Sequence, residues 1–249
     1  MTTRREAILH EMGLTPIWKA KGVAPESSVP PVPPGDSAVE EDLSAQTPSV
    51  AREARIAKMD WPALKVAVPG CTACALHKSR TQTVFGVGDE NANWLLVGEA
   101  PGAEEDQRGE PFVGQAGRLL DAMLASIGLA RNTNVYIANV LKCRPPGNRN
   151  PEPGEVAQCS PHLLRQVELI KPRLIVAMGR FAAQTLLATD ASIASLRGQL
   201  HAYHGVPLIV TYHPAYLLRT PTDKAKAWQD LLFAVRTMEG LQPVVSTPT

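Results

Sequence analysis

Four apolar runs of strand length, separated by helical patterns and loops, restrict most strongly how this chain can fold. The runs lie at 94–97, 135–140, 174–179 and 207–212. Apolar residues recur at helical spacing at 115–124, 181–187 and 223–238, after the first, third and fourth runs. Strands that alternate with helices predict an α/β fold with a mostly parallel sheet covered on both faces.

The loop after the first run carries a concentration of polar side chains. Residues 98–106 hold four acidic residues in eight positions, beginning at Glu99. Phe112 follows in a Pro-Phe-Val-Gly block, directly before the helical pattern at 115–124. Because ligands of open α/β sheets bind where strands end, this loop and its aromatic neighbour are predicted to border a ligand site.

Asn139 lies where the second run ends. A side-chain amide both accepts and donates hydrogen bonds, so a buried Asn can read the edge of a planar imide or amide ring. An isolated Asn at such a position is more often a turn former. The cations that follow it, Lys142, Arg144 and Arg149, are suited either to phosphates or to solvent.

The fourth run is followed by His213 and, four residues later, by Leu217, Leu218 and Arg219. A neutral imidazole can donate a hydrogen bond to an oxygen that gains negative charge in a transition state. Two leucines followed by arginine are suited to a wedge in a base stack with a phosphate anchor. Considered alone, a histidine with two leucines is more often part of a core.

Four cysteines occur as two pairs. Cys71 and Cys74 form a C-x-x-C motif, and fifteen residues separate Cys143 from Cys159. In a chain with no export signal this pattern favours a structural metal site over disulfides. Buried apolar cysteines and a redox dithiol are the less favoured alternatives. Zinc and an iron–sulfur cluster both accept four thiolates, so the residues do not decide between them.

Composition divides the chain. We predict a helix within 1–18, a proline-rich acidic linker at 19–48, one domain at 49–240 and a tail at 241–249. Residues 49–68 fit a helix, a break at Pro62 and a short second helix. The linker is also a candidate docking site for a protein partner, although a simple tether is the favoured interpretation.

Charge and hydropathy narrow the function classes. The formal net charge is +1, and the stretch 24–46 holds five acidic and no basic residues, so the remaining residues carry +6. This mildly basic balance permits a nucleic-acid partner. The sequence has no apolar run of eighteen residues and no secretory signal, so we expect a soluble cytoplasmic protein without a membrane partner.

Taken together, these blocks resemble the iron–sulfur uracil-DNA glycosylases, family 4 of the uracil-DNA glycosylase superfamily. The resemblance extends from about Cys71 to Met238. It rests on the paired cysteines, Gly-Glu-Ala-Pro-Gly at 98–102 with Glu-Asp at 105–106, Pro-Phe-Val-Gly at 111–114, Asn139 with Lys-Cys-Arg-Pro-Pro at 142–146, and His-Pro-Ala-Tyr-Leu-Leu-Arg at 213–219.

The resemblance implies a three-layer α/β/α sandwich around a short four-stranded parallel sheet, here with a helical N-terminal extension. It also implies excision of uracil from DNA, leaving an abasic site for base excision repair. The implied cofactor is one four-iron four-sulfur cluster, with zinc less favoured, and its ligands are Cys71, Cys74, Cys143 and Cys159. A monomer suits a protein that tracks along DNA.

The resemblance also implies residue roles. The catalytic candidates are Glu99, His213 and, as the second carboxylate, Glu105. The candidates for binding the base are Gly98, Ala100, Phe112 and Asn139. The candidates for binding DNA are Leu217, Leu218, Arg219 and Arg144. No lysine stands at a motif position that would form a Schiff base, so we expect a monofunctional glycosylase.

Two other functions stay open at this point. One is a non-catalytic DNA-damage-binding accessory protein on the same fold, tethered by the proline-rich arm. It would not need Glu99, Asn139 and His213, and all three are present. The other is a metal-stapled α/β protein that binds a free nucleotide or carries electrons, for which no P-loop is present. The sequence does not distinguish single-stranded from double-stranded DNA.

Overall fold

The computed structural model of this protein describes residues 48–241. The predicted helix within 1–18, all but the last residue of the predicted linker, and the tail beyond 241 lie outside the described residues. Among the helices at 48–241, none is both long and apolar enough to cross a membrane.

A six-stranded sheet forms the centre of the fold. In chain order its strands are β1 (Val87–Gly88), β2 (Trp94–Gly98), β3 (Val135–Asn139), β4 (Leu174–Met178), β5 (His201–Tyr203) and β6 (Val206–Thr211). Their spatial order is β1-β3-β2-β4-β6-β5. The four central strands are parallel, while β1 and β5 add to the two edges in antiparallel orientation.

The mostly parallel sheet predicted from the apolar runs, and the four parallel strands that the resemblance implied, are therefore confirmed, with a short antiparallel strand added at each edge. These edge strands have two and three residues and are only partly buried. Such short segments carry too few residues to show an alternating pattern, which is why the sequence did not reveal them.

Nine α-helices surround the sheet within the described chain. They are α1 (Pro48–Ile56), α2 (Trp61–Ala67), α3 (Ala103–Arg108), α4 (Gln115–Ser126), α5 (Pro153–Ile170), α6 (Arg180–Leu187), α7 (Ile193–Leu196), α8 (Pro214–Arg219) and α9 (Lys224–Gly240). Three short 3₁₀ helices lie at Ala75–Lys78, Pro146–Asn148 and Pro221–Asp223.

Side chains of the parallel strands alternate between two cores. In β2, Leu95 and Val97 pack in the core that α5 and α6 cover, whereas Trp94 and Leu96 pack in the core that α4 and α9 cover. All five residues of β2 are buried, as expected for a strand with helices on both faces. This arrangement is the predicted three-layer α/β/α sandwich.

The break between the first two helices differs slightly from the expectation. Residues 57–60 separate α1 from α2, and Pro62 lies inside the first turn of α2 instead of at the break. Asp60 caps α2 because its Oδ1 accepts a hydrogen bond from the amide of Ala63, at 2.9 Å. Proline is tolerated at this point because the first turn needs no amide donor there.

Candidate active site

A cleft of about 420 Å³ lies at the carboxyl edge of the parallel strands. It brings together residues that are far apart in the sequence, because parallel strands present their carboxyl ends at one edge. Seven of the predicted site residues line it: Glu99, Ala100, Glu105, Phe112, Asn139, His213 and Arg219. The remaining lining residues include Pro145, Asn148, Arg149 and Tyr216, for which we predicted no direct role in the cleft.

Asn139 ends β3 and is only 2% exposed. Its Oδ1 has no hydrogen-bond partner among residues 48–241. A buried carbonyl oxygen without a partner is costly, and such atoms are rare in folded proteins. An orphan acceptor that lines a cleft is suited to an N–H donor supplied by a ligand.

Gly98 lies directly opposite Asn139 in the register of β2 and β3. A Cβ atom at position 98 would lie 2.4 Å from Asn139 Oδ1 and 2.6 Å from Phe112 Cζ. Both distances are well below van der Waals contact, so only glycine allows these two side chains to approach the end of β2. Gly98 therefore serves the site by its lack of a side chain.

The rings of Phe112 and His213 are stacked, with centroids 5.3 Å apart and an interplanar angle of 28°. Phe112 is 6% exposed and has a φ of 57°, in the left-handed region. A bulky residue in that region is strained, and such strain collects at functional sites. The structure thus holds an aromatic ring at the cleft through an unfavourable backbone conformation.

His213 precedes α8 and caps its first turn. Its Nδ1 accepts a hydrogen bond from the amide of Ala215, at 3.1 Å, so the proton of the neutral ring is on Nε2. The pKa of His213 is lowered to about 4, mainly by burial and in addition by the positive charge of Arg219, while Glu105 partly opposes the shift. At neutral pH the imidazole is therefore uncharged and can donate from Nε2 into the cleft.

Glu99 follows β2 and borders the same cleft. Its backbone carbonyl accepts a hydrogen bond from the amide of Leu141, at 3.0 Å, which ties the start of the loop to the segment that follows β3. Burial raises the pKa of the Glu99 carboxyl, and the positive charge of Arg180 partly offsets that effect. A half-buried carboxylate of this kind can orient water or face a developing positive charge.

Glu105, predicted as the second catalytic carboxylate, has both oxygens in use. Oε2 accepts from the amide of Gly102 and Oε1 from the amide of Val113, each at 3.1 Å. These bonds cap α3 and tie it to the segment that carries Phe112. Its place in the cleft agrees with the prediction, but its hydrogen bonds indicate a brace, because each oxygen already accepts from a backbone amide and the two amides belong to different segments.

The two predicted wedge leucines lie in different environments. Leu217 is 1% exposed and packs with Tyr212 and Ala227, so its side chain cannot enter a base stack without unfolding of this region. This burial counts against the predicted role of Leu217 in DNA binding, which stays a prediction. Leu218 is 39% exposed and remains the wedge candidate.

The basic residues considered for phosphate binding also lie in different environments. Arg219 lines the cleft, whereas Arg144 does not and donates from Nε to Asn148 Oδ1 at 2.7 Å. Arg149 lines the cleft and forms a two-point ion pair with Glu155, at 2.6 and 3.0 Å. Lys142 is fully buried and donates from Nζ to the backbone carbonyl of Asn139, at 2.9 Å, so it supports β3 and contacts no phosphate.

The four cysteines border one small cavity, together with Arg80, Lys142 and His162. Cys143 Sγ accepts from Arg80 Nη1 at 2.9 Å, and Cys159 Sγ accepts from the amide of Lys142 at 3.2 Å. Burial raises the pKa of Cys143, and that of Cys159 to about 12. Such thiols ionise when a metal replaces their protons.

No set of three or more His, Cys, Asp or Glu side chains in the described chain is arranged to hold a metal ion. The predicted metal therefore stays a prediction. Segments remote in sequence do meet at the cysteines, because Cys71 and Cys74 border the same cavity as Cys143 and Cys159. Ala100, from the loop after β2, packs against the same cluster and connects it with the cleft.

Comparison with a family model and comparison with known proteins point to the same family. The family model of the uracil DNA glycosylase superfamily matches residues 85–232. A type-4 uracil-DNA glycosylase of Archaeoglobus fulgidus is 49% identical over 162 residues, covering 62% of this chain and 81% of the relative. Type-4 uracil-DNA glycosylases of Pyrobaculum aerophilum and Thermotoga maritima are 41% and 45% identical; the matches cover 70% and 64% of this chain and 92% and 83% of the relatives.

Proposed function

Because this chain belongs to the type-4 group of the uracil DNA glycosylase superfamily, we propose that it excises uracil from DNA by hydrolysis of the N-glycosidic bond. The observation that carries the proposal furthest is the orphan Oδ1 of Asn139, buried in the cleft beside Phe112 and Gly98. This acceptor suits the imide N–H of uracil, which no other DNA base but thymine offers.

The base would enter the cleft only after it leaves the helical stack. Flipped bases are held by stacking and by hydrogen bonds to their Watson–Crick edge. Phe112 offers the aromatic surface, and Asn139 offers an acceptor for N3–H and a donor amide for the neighbouring carbonyl oxygen. Gly98 supports both roles, since any side chain there would displace the ring and the amide.

Cleavage moves the electron pair of the glycosidic bond onto the uracil and leaves positive charge on the sugar. His213 would stabilise the departing anion by donating from Nε2 to a uracil oxygen, as its neutral tautomer permits. Glu99 would face the sugar cation and orient the water that attacks C1′, accepting a proton from that water. The products are free uracil and an abasic site, which is the substrate of base excision repair.

The DNA would lie across the mouth of the cleft. Leu218 is the exposed side chain suited to fill the space left by the flipped base, and Arg219 is the cation suited to a phosphate beside it. Arg144, at the outer side of the loop after β3, is a second phosphate contact in this proposal. We further propose that the enzyme acts as a cytoplasmic monomer, with the proline-rich arm free to engage a protein partner.

We assign a four-iron four-sulfur cluster to Cys71, Cys74, Cys143 and Cys159. Their meeting at one cavity supports this, as do the N–H groups that Arg80 and Lys142 direct at two of the sulfurs. Thiolates of such a cluster bind different irons and need not converge on one ion, which favours it over zinc. When bound, it would supply iron–thiolate cross-links between the N-terminal helices and the loop after β3.

The proposal is tested by single-turnover release of uracil from a labelled oligonucleotide. Wild type should release uracil, His213→Ala should release it far more slowly, and both should keep the brown absorbance of the cluster. His204→Ala is a matched control, because His204 is exposed and does not line the cleft. A folded, brown wild-type protein that binds the oligonucleotide and releases nothing would indicate the damage-binding accessory function instead.

A further inference from the structure

Arg131 lies in the turn between α4 and β3, outside the cleft. Its guanidinium contacts the segment that carries Phe112 at several points. Nη1 donates to the carbonyl of Pro111 at 3.0 Å, and Nη2 donates to the carbonyl of Phe112 at 2.5 Å. Nη2 also reaches the carbonyl of Gly117 at 3.5 Å. One side chain thus binds the peptide groups on both sides of Phe112.

These contacts coincide with the strained backbone of Phe112. A φ of 57° for an aromatic residue persists only where the surroundings impose it. The two consecutive carbonyls of Pro111 and Phe112 turn toward the same guanidinium, and this orientation depends on the left-handed conformation between them. Arg131 is therefore well placed to impose it.

Two residues of helix α4 support this arrangement. A Cβ atom at Gly117 would lie 1.8 Å from the carbonyl oxygen of Phe112, so glycine is required where this strained peptide meets the helix. Asp121, one turn further along α4, pairs with Nε of Arg131 and fixes the direction of the guanidinium. Arg131 is 21% exposed while Asp121 is 51% exposed, so the guanidinium is the buried partner of the pair.

We infer that Arg131 is a positioning residue for base recognition, which holds the ring of Phe112 in its place against the base by clamping the peptides of Pro111 and Phe112. This inference rests on the proposed function for its effect on uracil, but the clamp itself can be observed without catalysis. Arginine is needed because its planar fork reaches two acceptors at once, which the single ammonium of lysine cannot reproduce.

The first measurement follows the ring directly. The chain has four phenylalanines, so protein labelled with 4-fluorophenylalanine gives a small set of ¹⁹F resonances. Phe112→Gly identifies the resonance of residue 112. Arg131→Gln should shift or broaden that resonance, and Arg131→Lys should do so to a smaller extent. Arg236→Gln, which removes an exposed arginine from α9 outside the cleft, should leave it unchanged.

The second measurement asks whether the ring transmits the effect to the reaction. Arg131→Gln should slow single-turnover release by about 10- to 100-fold, the size expected for a misplacement near 1 Å. Free uracil should inhibit this variant less strongly. In the Phe112→Gly background, adding Arg131→Gln should change the rate by less than about twofold, because the clamp then has no ring to place.

The outcomes separate this inference from the proposed function. If wild type releases uracil while Arg131→Gln keeps both the resonance of residue 112 and the rate, the clamp is refuted. A rate loss of equal size in the Phe112→Gly background would also refute it, since Arg131 would then act by general stability. If the resonance moves as expected but wild type releases no uracil, the clamp stands and the proposed function fails.

Discussion

Replacing Asn139 by alanine should reduce activity without reducing stability, a combination that distinguishes a binding residue from a packing residue. In wild type the buried Oδ1 lacks a partner among residues 48–241, which costs about 1–3 kcal/mol in the free protein. Asn139→Ala removes this penalty and loses packing of similar size. The free energy of unfolding should therefore change by less than about 1 kcal/mol, or about 2–4 °C in Tm.

The effect of Asn139→Ala on the rate of uracil release should be much larger than its effect on stability. In the complex, the Asn139 amide would bind the uracil edge as negative charge develops on it, and loss of one such contact typically costs about 10²- to 10³-fold in rate. The assay is single-turnover uracil release, combined with thermal unfolding of the same samples. Asn91→Ala is the control, because Asn91 is exposed and does not line the cleft.

Two results would refute this reasoning. A variant that releases uracil at the wild-type rate would show that the amide does not read the base. A Tm that falls by more than about 8 °C, with a rate that recovers at lower temperature, would show that Asn139 serves mainly to stabilise β3.

Three further predictions concern the cleft, the two leucines of α8 and the cysteine cavity. Because burial lowers the pKa of His213 to about 4, its neutral form should persist down to that pH, and the protein should lose stability as pH falls from about 6.5 toward 4. If the rate instead falls as the pH rises through about 6.5, His213 does not act as a neutral donor. Because the pKa of Glu99 is raised, the rate should also fall on the acid side at a pH above 4.5, and this fall should be absent in Glu99→Gln. Leu217→Ala should destabilise by about 2–4 kcal/mol, whereas Leu218→Ala should keep Tm and weaken uracil release from duplex more than from single strands; equal Tm losses would show that Leu218 is also a core residue. Cys159→Ser should abolish the brown absorbance and lower Tm, whereas an unchanged absorbance and an unchanged Tm would show that Cys159 is not a ligand of the cluster.

The architecture was largely predictable from the sequence because each parallel strand is buried on both faces. Such strands appear as continuous apolar runs, and β2 and β4 coincide with their predicted runs within one residue. Strands β1 and β5 were not predicted, since they are short, partly buried and held mainly by pairing to a neighbouring strand. They pair with the outer strands of the parallel sheet, so their position depends on which strands lie at its edges.

The members of the cleft were also predictable, because polar residues that follow parallel strands meet at one edge. Glu99, Asn139 and His213 come together for this reason. Their environments were not predictable in the same way. The orphan oxygen of Asn139, the tautomer of His213 and its lowered pKa all depend on burial by segments distant in sequence.

The sequence by itself determined the order of the four parallel strands and their helices, and the strand ends that carry the polar residues. It also determined the occurrence of the four cysteines as two pairs along the chain. Only the tertiary structure decided which of these residues are free to act. It assigned the oxygens of Glu105 to backbone amides, buried Leu217 and left Leu218 exposed. It also placed the guanidinium of Arg131 against the backbone carbonyl of Phe112, although the two residues are nineteen positions apart in the sequence. The physical reason is that residue type and spacing specify what a side chain can bind, whereas packing and backbone direction select which partner it meets.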